Sequence, residues 1–436
     1  MFTPPPATAS AAISASASTP RTSSQTRALD AGRAARYFDE ARALCRRDGG
    51  VLWGKSLCGP MMFADPATRA VFASEPDGEG VLKRSGEVFV GTLPPRVNVA
   101  NTAVEWAGVN WMVVLSTALP EDEYRRANLM MHELWHRRQE ELGFPASGAA
   151  NNHLDTRDGR VWLQLEWRAL ASALSAGGRA RRRAVADALL FRAYRRSLFA
   201  RAASEEREME MHEGLAEYTG VRLGGGPDPS RYVIDVDLKG EAKRESFVRS
   251  FAYASGPAYG LLLDAAAPGW TRRVRKGDDL GALLQKRLGV RPPRDLRRAA
   301  GERSRAYDGG RLLASERERE DGRRRLLAGY RARLVEGPVL VVPLRSMRMS
   351  FDPGNLVPLD ALGTVYPNIR VVDVWGILTV SRGGALMNAT YSSITLAAPA
   401  DASRRPARGD GWTLELNDGW TLVPGARVGD FVVKKN

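Results

Sequence analysis

His132-Glu133-Leu134-Trp135-His136 is the stretch on which the reading of this chain turns. Residues four apart on an α-helix project from one face, so both imidazoles reach a single metal ion. The glutamate lies one residue past the first histidine, beside a metal rather than on it, where it can accept a proton from water. Just upstream, Pro120-Glu121-Asp122-Glu123 supplies the proline and acids that suit a helix N-terminus. Tyr124, Ala127, Met131, Leu134, Trp135 and Leu142 are expected to form a buried stripe, and Gly143 with Pro145 to end the run. A helix from Pro120 to Leu142 is therefore predicted.

Working outward, a first helix is expected from Ala28 to Arg47, and then strands at Val51–Leu57, Met61–Phe63, Ala70–Ala73, Val88–Leu93 and Val109–Leu115. Beyond the metal helix, helical patterns cover 161–176, 180–200 and 203–219. A strand is expected at Tyr232–Val236, a helix at Lys243–Asp264, and further helices at 279–288 and 311–334. From Val339 onward short β-type runs alternate with Gly and Pro turns, and Trp412-Thr-Leu with Trp420-Thr-Leu reads as a hairpin. The fold class is α+β: an N-terminal mixed sheet, a mainly helical stretch, and a small all-β C-terminal domain. The expected divisions are a disordered segment 1–28, a main domain 29–335 and a β-rich domain 336–436.

Composition narrows the function. The chain has 436 residues, of which 44% are hydrophobic, enough for a full core. No apolar run approaches the roughly 20 residues of a membrane span. The net charge of +14 raises nucleic acid as a partner, but the arginines alternate with acids, as in Glu316-Arg317-Glu318-Arg319, and no basic-aromatic module is present. A solvated basic surface is the preferred reading. Cys45 and Cys58 belong to no CxxC pair; one disulfide or two free thiols both stay open, as do export and a cytoplasmic location. The Ala-, Ser-, Thr- and Pro-rich start lacks the apolar stretch of a secretory signal. Oligomeric state is left open.

A catalytic zinc takes three protein ligands. The close third histidine of a His-x-x-Gly-x-x-His extension is missing, since Arg-Arg-Gln-Glu-Glu-Leu-Gly follows His136. The candidate lies further on, in His212-Glu213-Gly214-Leu215-Ala216-Glu217-Tyr218-Thr219-Gly220. Glu213 and Glu217 share a helix face, so one can bind a metal while the other holds a ligand histidine by its distal N–H. Gly214 is expected to let two helices approach closely. His212 is the lesser candidate for third ligand. Glu205, Glu206, Glu208 and Glu210 read as a solvated helix face, His153 as a loop hydrogen-bonding residue with substrate contact as the lesser alternative, and Glu166 as a buried structural acid.

At these residues the chain resembles the gluzincin zinc peptidases, the superfamily of thermolysin and the leukotriene-hydrolase-like aminopeptidases. Their paired motifs are HExxH and a later glutamate helix. The resemblance covers the strand before the first helix and the two motif helices. It implies a zincin-like catalytic domain holding one Zn2+ per chain, with His132, His136 and Glu213 as metal ligands, Glu133 as general base, and Glu217 in the supporting acid position. It also implies a hydrolase acting on a peptide or protein substrate, with an oxyanion-stabilising tyrosine or histidine beyond the third ligand. Tyr259 is the first choice for that role and Tyr253 the second. Val109–Leu115 takes the place of the zincin edge strand, with Asn98 and Asn101 lining the same cleft. The chain departs from the pattern at His212, where asparagine is usual, and at Glu217, where aspartate is commoner. The gap between motifs is long, and the Gly-Ala-Met-Glu-Asn amine-binding motif is missing, so aminopeptidase specificity does not carry over. The alternatives are a catalytically silent binding or scaffold protein that keeps the fold, and a nucleic-acid-associated protein.

Overall fold

The computed structural model describes residues 29–94, 97, 99–351 and 355–436; the segment 1–28 and Asn98 lie outside the described residues. The described chain forms two compact units that divide between Arg317 and Glu318.

In the first unit, α1 (Ala31–Asp48) starts where Asp30 accepts a hydrogen bond from the Arg33 amide and stops at left-handed Gly49. The strand expected at Val51–Leu57 is instead a run of turns. The Asp48 carboxylate takes the amides of Gly50 and Leu52, and Gly50 and Gly54 have positive φ, so local bonds displace a ladder. A Cys45–Cys58 disulfide, with Cα atoms 5.4 Å apart, ties α1 to the entry of the sheet.

Six strands follow: β1 (Met61–Ala64), β2 (Ala70–Ala73), β3 (Lys83–Ser85), β4 (Val88–Thr92), β5 (Thr102–Trp106) and β6 (Val109–Leu115). Their order is β3-β4-β2-β1-β6-β5, mixed because β1 runs parallel to β6. Trp111 to Leu115 are all buried since both faces are covered: Met112 and Val114 join the helical core, Trp111 and Val113 a smaller cluster on the other face. β6 is therefore not the edge. β5 is, joined to β6 through Ala107 and Gly108, both at positive φ as a two-residue hairpin turn requires.

The helical part comprises α2 (Glu123–Arg138), α3 (Arg157–Ser175), α4 (Gly178–Ser197), α5 (Ala202–Met209), a π turn (Glu210–Gly214) and α6 (Leu215–Gly224). Short α7 (Pro229–Tyr232) and α8 (Lys239–Glu241) flank a second π segment where a strand was expected. Then come α9 (Phe251–Ala266), α10 (Leu280–Leu288), α11 (Leu296–Ser304) and α12 (Gly309–Arg331). The α9 helix begins later than its apolar pattern implied, because turns occupy the residues before it. No helix among the described residues is long and apolar enough to cross a membrane.

Within this core lies a buried ion network. Arg195 donates to Glu206 at 2.8 and 2.9 Å and to Glu166, while Arg192 pairs with Glu210 and Glu166. Glu206 and Glu210, read from sequence as solvated, are fully buried; Glu208 alone of the four glutamates is exposed. Burial disfavours a charge on Glu206, but Arg195 and Arg196 outweigh it and hold its carboxyl well below the usual range. His153 contacts Glu206 at 2.9 Å, and Glu166 is a buried structural acid, both as expected.

The second unit is all-β beyond the end of α12. Its strands form a seven-stranded and a five-stranded sheet around a core that includes Leu340, Val371, Trp375, Leu378 and Ile394. The strand Phe431–Lys435 pairs in parallel with Val339–Pro343. The tryptophan repeat is not a hairpin: Trp412 pairs with Val380 in one sheet and Trp420 with Lys435 in the other.

Candidate metal centre

Two helices bring the site together. α2 is capped by Asp122, which accepts from the Arg125 amide at 2.8 Å, and it presents His132 and His136 on one face while Met131, Leu134 and Trp135 enter the core. α6 lies directly against it. A Cβ on Gly220 would stand 2.5 Å from Asn128 Oδ1 and 2.6 Å from the Asn128 carbonyl oxygen, and one on Gly224 would meet the Ala127 carbonyl carbon at 2.5 Å. These two glycines, rather than Gly214, set the α2–α6 separation. Gly214 meets Gly256 of α9 instead, where a Cβ on Gly256 would reach Gly214 Cα at 2.3 Å. Gly220→Ala is predicted to lower stability by about 1–3 kcal/mol through overpacking. Urea denaturation reads this as an earlier midpoint at unchanged slope; a wild-type midpoint would refute the close-contact argument.

His212 and Glu213 sit in the π turn, a local widening that recurs at functional sites. It delivers Glu213 Oε2 to 3.6 Å from Nε2 of both His132 and His136, whose Nε2 atoms are 3.0 Å apart. A triangle of those sides has its centre about 2.0 Å from every corner, the length of zinc–nitrogen and zinc–oxygen bonds. Among the described residues, this is the one group of three His, Cys, Asp or Glu ligand atoms close enough to share an ion.

The far sides of the imidazoles are occupied. His132 Nδ1 lies 2.9 Å from Glu217 Oε2, and Glu217 Oε1 accepts from Asn128 Nδ2 at 2.8 Å. His136 Nδ1 lies 2.6 Å from Gln139 Oε1. Both acceptors place the proton on Nδ1, which turns each Nε2 lone pair to the centre. Gln139 also donates Nε2–H to His212 Nδ1 at 2.6 Å, so His212 carries its proton on Nε2, 3.1 Å from Glu213 Oε1. His212 thus supports the carboxylate instead of replacing it. Gln139 gave no signal in the sequence, lying just past the helix among charged residues.

Electrostatics favour positive charge at the centre. Burial opposes charging His132, but the nearby Glu213 carboxylate and the hydrogen bond to Glu217 outweigh it and push its pKa up to about 10. Glu213 is buried too, yet the imidazoles of His132, His136 and His212 around it hold it well below the usual carboxylate range. A cation bound by the same atoms takes the proton's place. Glu133 is buried, which raises its pKa against the pull of His132 and His136, and its Oε2 has no hydrogen-bond partner among the described residues. A buried polar atom of this kind ordinarily has a partner. The donor set, the triangle and the orphaned Glu133 oxygen together fit a zinc ion.

Tyr259, the expected tyrosine, lies away from the centre, and Tyr253 lies at it. Tyr259 is fully buried elsewhere, donating to Glu166 Oε1 at 2.7 Å with Arg192 near its ring. Tyr253 joins the site: its hydroxyl donates to Glu213 Oε2 at 2.5 Å and its ring stacks on His132 at 5.5 Å. Six residues separate the two, about 240° around a helix, so they face different surroundings. Asn101 accepts from the Leu115 amide at 2.8 Å, tying down the end of β6. Arg249, overlooked among 64 basic residues, donates to Glu213 Oε1. Compared with known proteins, the chain matches no family model, no curated protein and no solved structure.

Proposed function

We propose that this chain is a zinc-dependent peptidase of gluzincin type, with a zincin-like first unit. The observation that carries the reading is the triangle of His132, His136 and Glu213 ligand atoms, its centre the right distance from all three. Zinc held there would supply Lewis acidity, making water a nucleophile near neutral pH and polarising a carbonyl. Glu133, beside the ligands with one carboxylate oxygen unpartnered, takes the proton from attacking water and returns it to the departing amine. The Tyr253 hydroxyl, which donates to Glu213 Oε2, is near enough to serve charge developing on the scissile carbonyl once its proton turns from that oxygen. Among the described residues β5 has one edge unpaired, and it packs with α2, so an extended peptide can add to it as a further strand.

Glu217 is a positioning residue. Glu217→Ala removes the acceptor that orients His132 and is predicted to weaken zinc binding by roughly 10–100-fold, measured by competition with a chelator. Unchanged affinity would remove it from the account. The activity itself is tested by incubating zinc-loaded protein with a mixed peptide library and reading products by mass spectrometry. Cleavage that stops on chelation and returns with zinc is expected. A zinc-loaded protein that cleaves nothing would favour the silent binding protein.

A further inference from the structure

Arg249 is delivered to the centre by a tightly built segment, yet its side chain is 43% exposed. The Asp155 carboxylate accepts from the Ser246 hydroxyl at 2.6 Å and the Phe247 amide at 2.7 Å. Arg160 donates to the carbonyls of Glu245 and Arg244, and its guanidinium lies 3.7 Å over the Phe247 ring. Phe247 is fully buried and packs against Trp167. Two residues beyond this clamp, Arg249 reaches Glu213 Oε1, an oxygen already 3.1 Å from His212 Nε2, while Tyr253 serves Oε2. Glu213 is thus supplied with donors besides the arginine. A guanidinium carries five N–H groups in a planar fork, of which its interactions with Glu213 and Tyr253 use only a part.

We propose that Arg249 receives a carboxylate of the substrate, so that the peptides cleaved carry a carboxylate close to the scissile bond; this rests on the peptidase reading above. A carboxylate matches the guanidinium fork with paired, charge-assisted bonds. The net charge of +14 draws anionic peptides to the chain over longer range. The carboxylate has two sources, an acidic side chain or the peptide's own C-terminus.

Three matched sets of N-acetylated hexapeptides separate these sources. One has internal glutamates and an amidated end, one internal glutamines and an amidated end, and one internal glutamines and a free C-terminus. Zinc-loaded Glu133→Gln protein is expected to bind one carboxylate-bearing set more tightly than the amide set, by on the order of tenfold to a hundredfold. Titration calorimetry reads this without any need for hydrolysis. In Arg249→Gln and Arg249→Lys proteins, loaded with zinc to the same level, the ratio between the sets should fall to about one for glutamine and be partly kept for lysine. Equal binding of all three sets, binding of none, or a ratio unchanged by Arg249→Gln overturns the inference. Carboxylate-selective binding by a protein that hydrolyses nothing overturns the peptidase reading and leaves Arg249 as the carboxylate site. Hydrolysis without carboxylate preference does the reverse.

Discussion

Glu133→Gln protein is expected to keep its zinc and to lose peptide hydrolysis, with kcat falling about 10²–10⁴-fold. Glutamine is nearly isosteric with glutamate and still fills the buried position beside His132, so the fold and the three ligand atoms stay in place. What disappears is the capacity to take up and return a proton. The effect should fall on kcat more than on KM, since the carboxylate acts on the reacting atoms and not on the bound peptide at large. The check is steady-state kinetics beside a zinc assay on the same sample. Retained zinc with retained turnover would remove Glu133 from the chemistry.

The second large effect is expected from Glu213→Ala. Two imidazoles remain, but the third corner of the triangle is lost, together with the acceptor for Tyr253, His212 and Arg249. Zinc affinity should fall by more than the roughly 10–100-fold typical of losing an outer partner. The stranded donors lose their bonds in a largely buried setting, at about 1–3 kcal/mol for each one left unsatisfied. Dialysis against a weak chelator followed by metal analysis should find stoichiometric zinc in the wild type and little in the variant. Full retention by Glu213→Ala would mean that another group, with His212 nearest, completes the centre.

Much of this centre was legible in the sequence because its information is local. The spacing of His132 and His136, the acid between them, and the Glu213–Glu217 pair are all read from helical periodicity. Their side chains meet because His132 and His136 share one face of α2, and the π turn leading into α6 brings Glu213 and Glu217 against it. What escaped was information held between elements. Glu206 and Glu210 read as solvated because their arginine partners lie on α4, invisible to a periodic pattern. Tyr259 was preferred to Tyr253, although helical phase forbids both from facing the same centre and cannot say which one does. Gln139 and Arg249 enter the site from a helix end and a clamped loop, where no regular spacing marks them. The edge position of β5 escaped because Thr102–Trp106 is short, half-buried and only weakly alternating.

The proposed zinc centre is tested most directly by X-ray absorption at the zinc edge, with metal analysis, on the full chain purified without chelator. About one zinc per chain is expected, bound by two imidazole nitrogens and a carboxylate oxygen at roughly 2.0–2.2 Å. Protein that carries no zinc and takes up none, or zinc whose nearest neighbours include sulfur, would contradict the account.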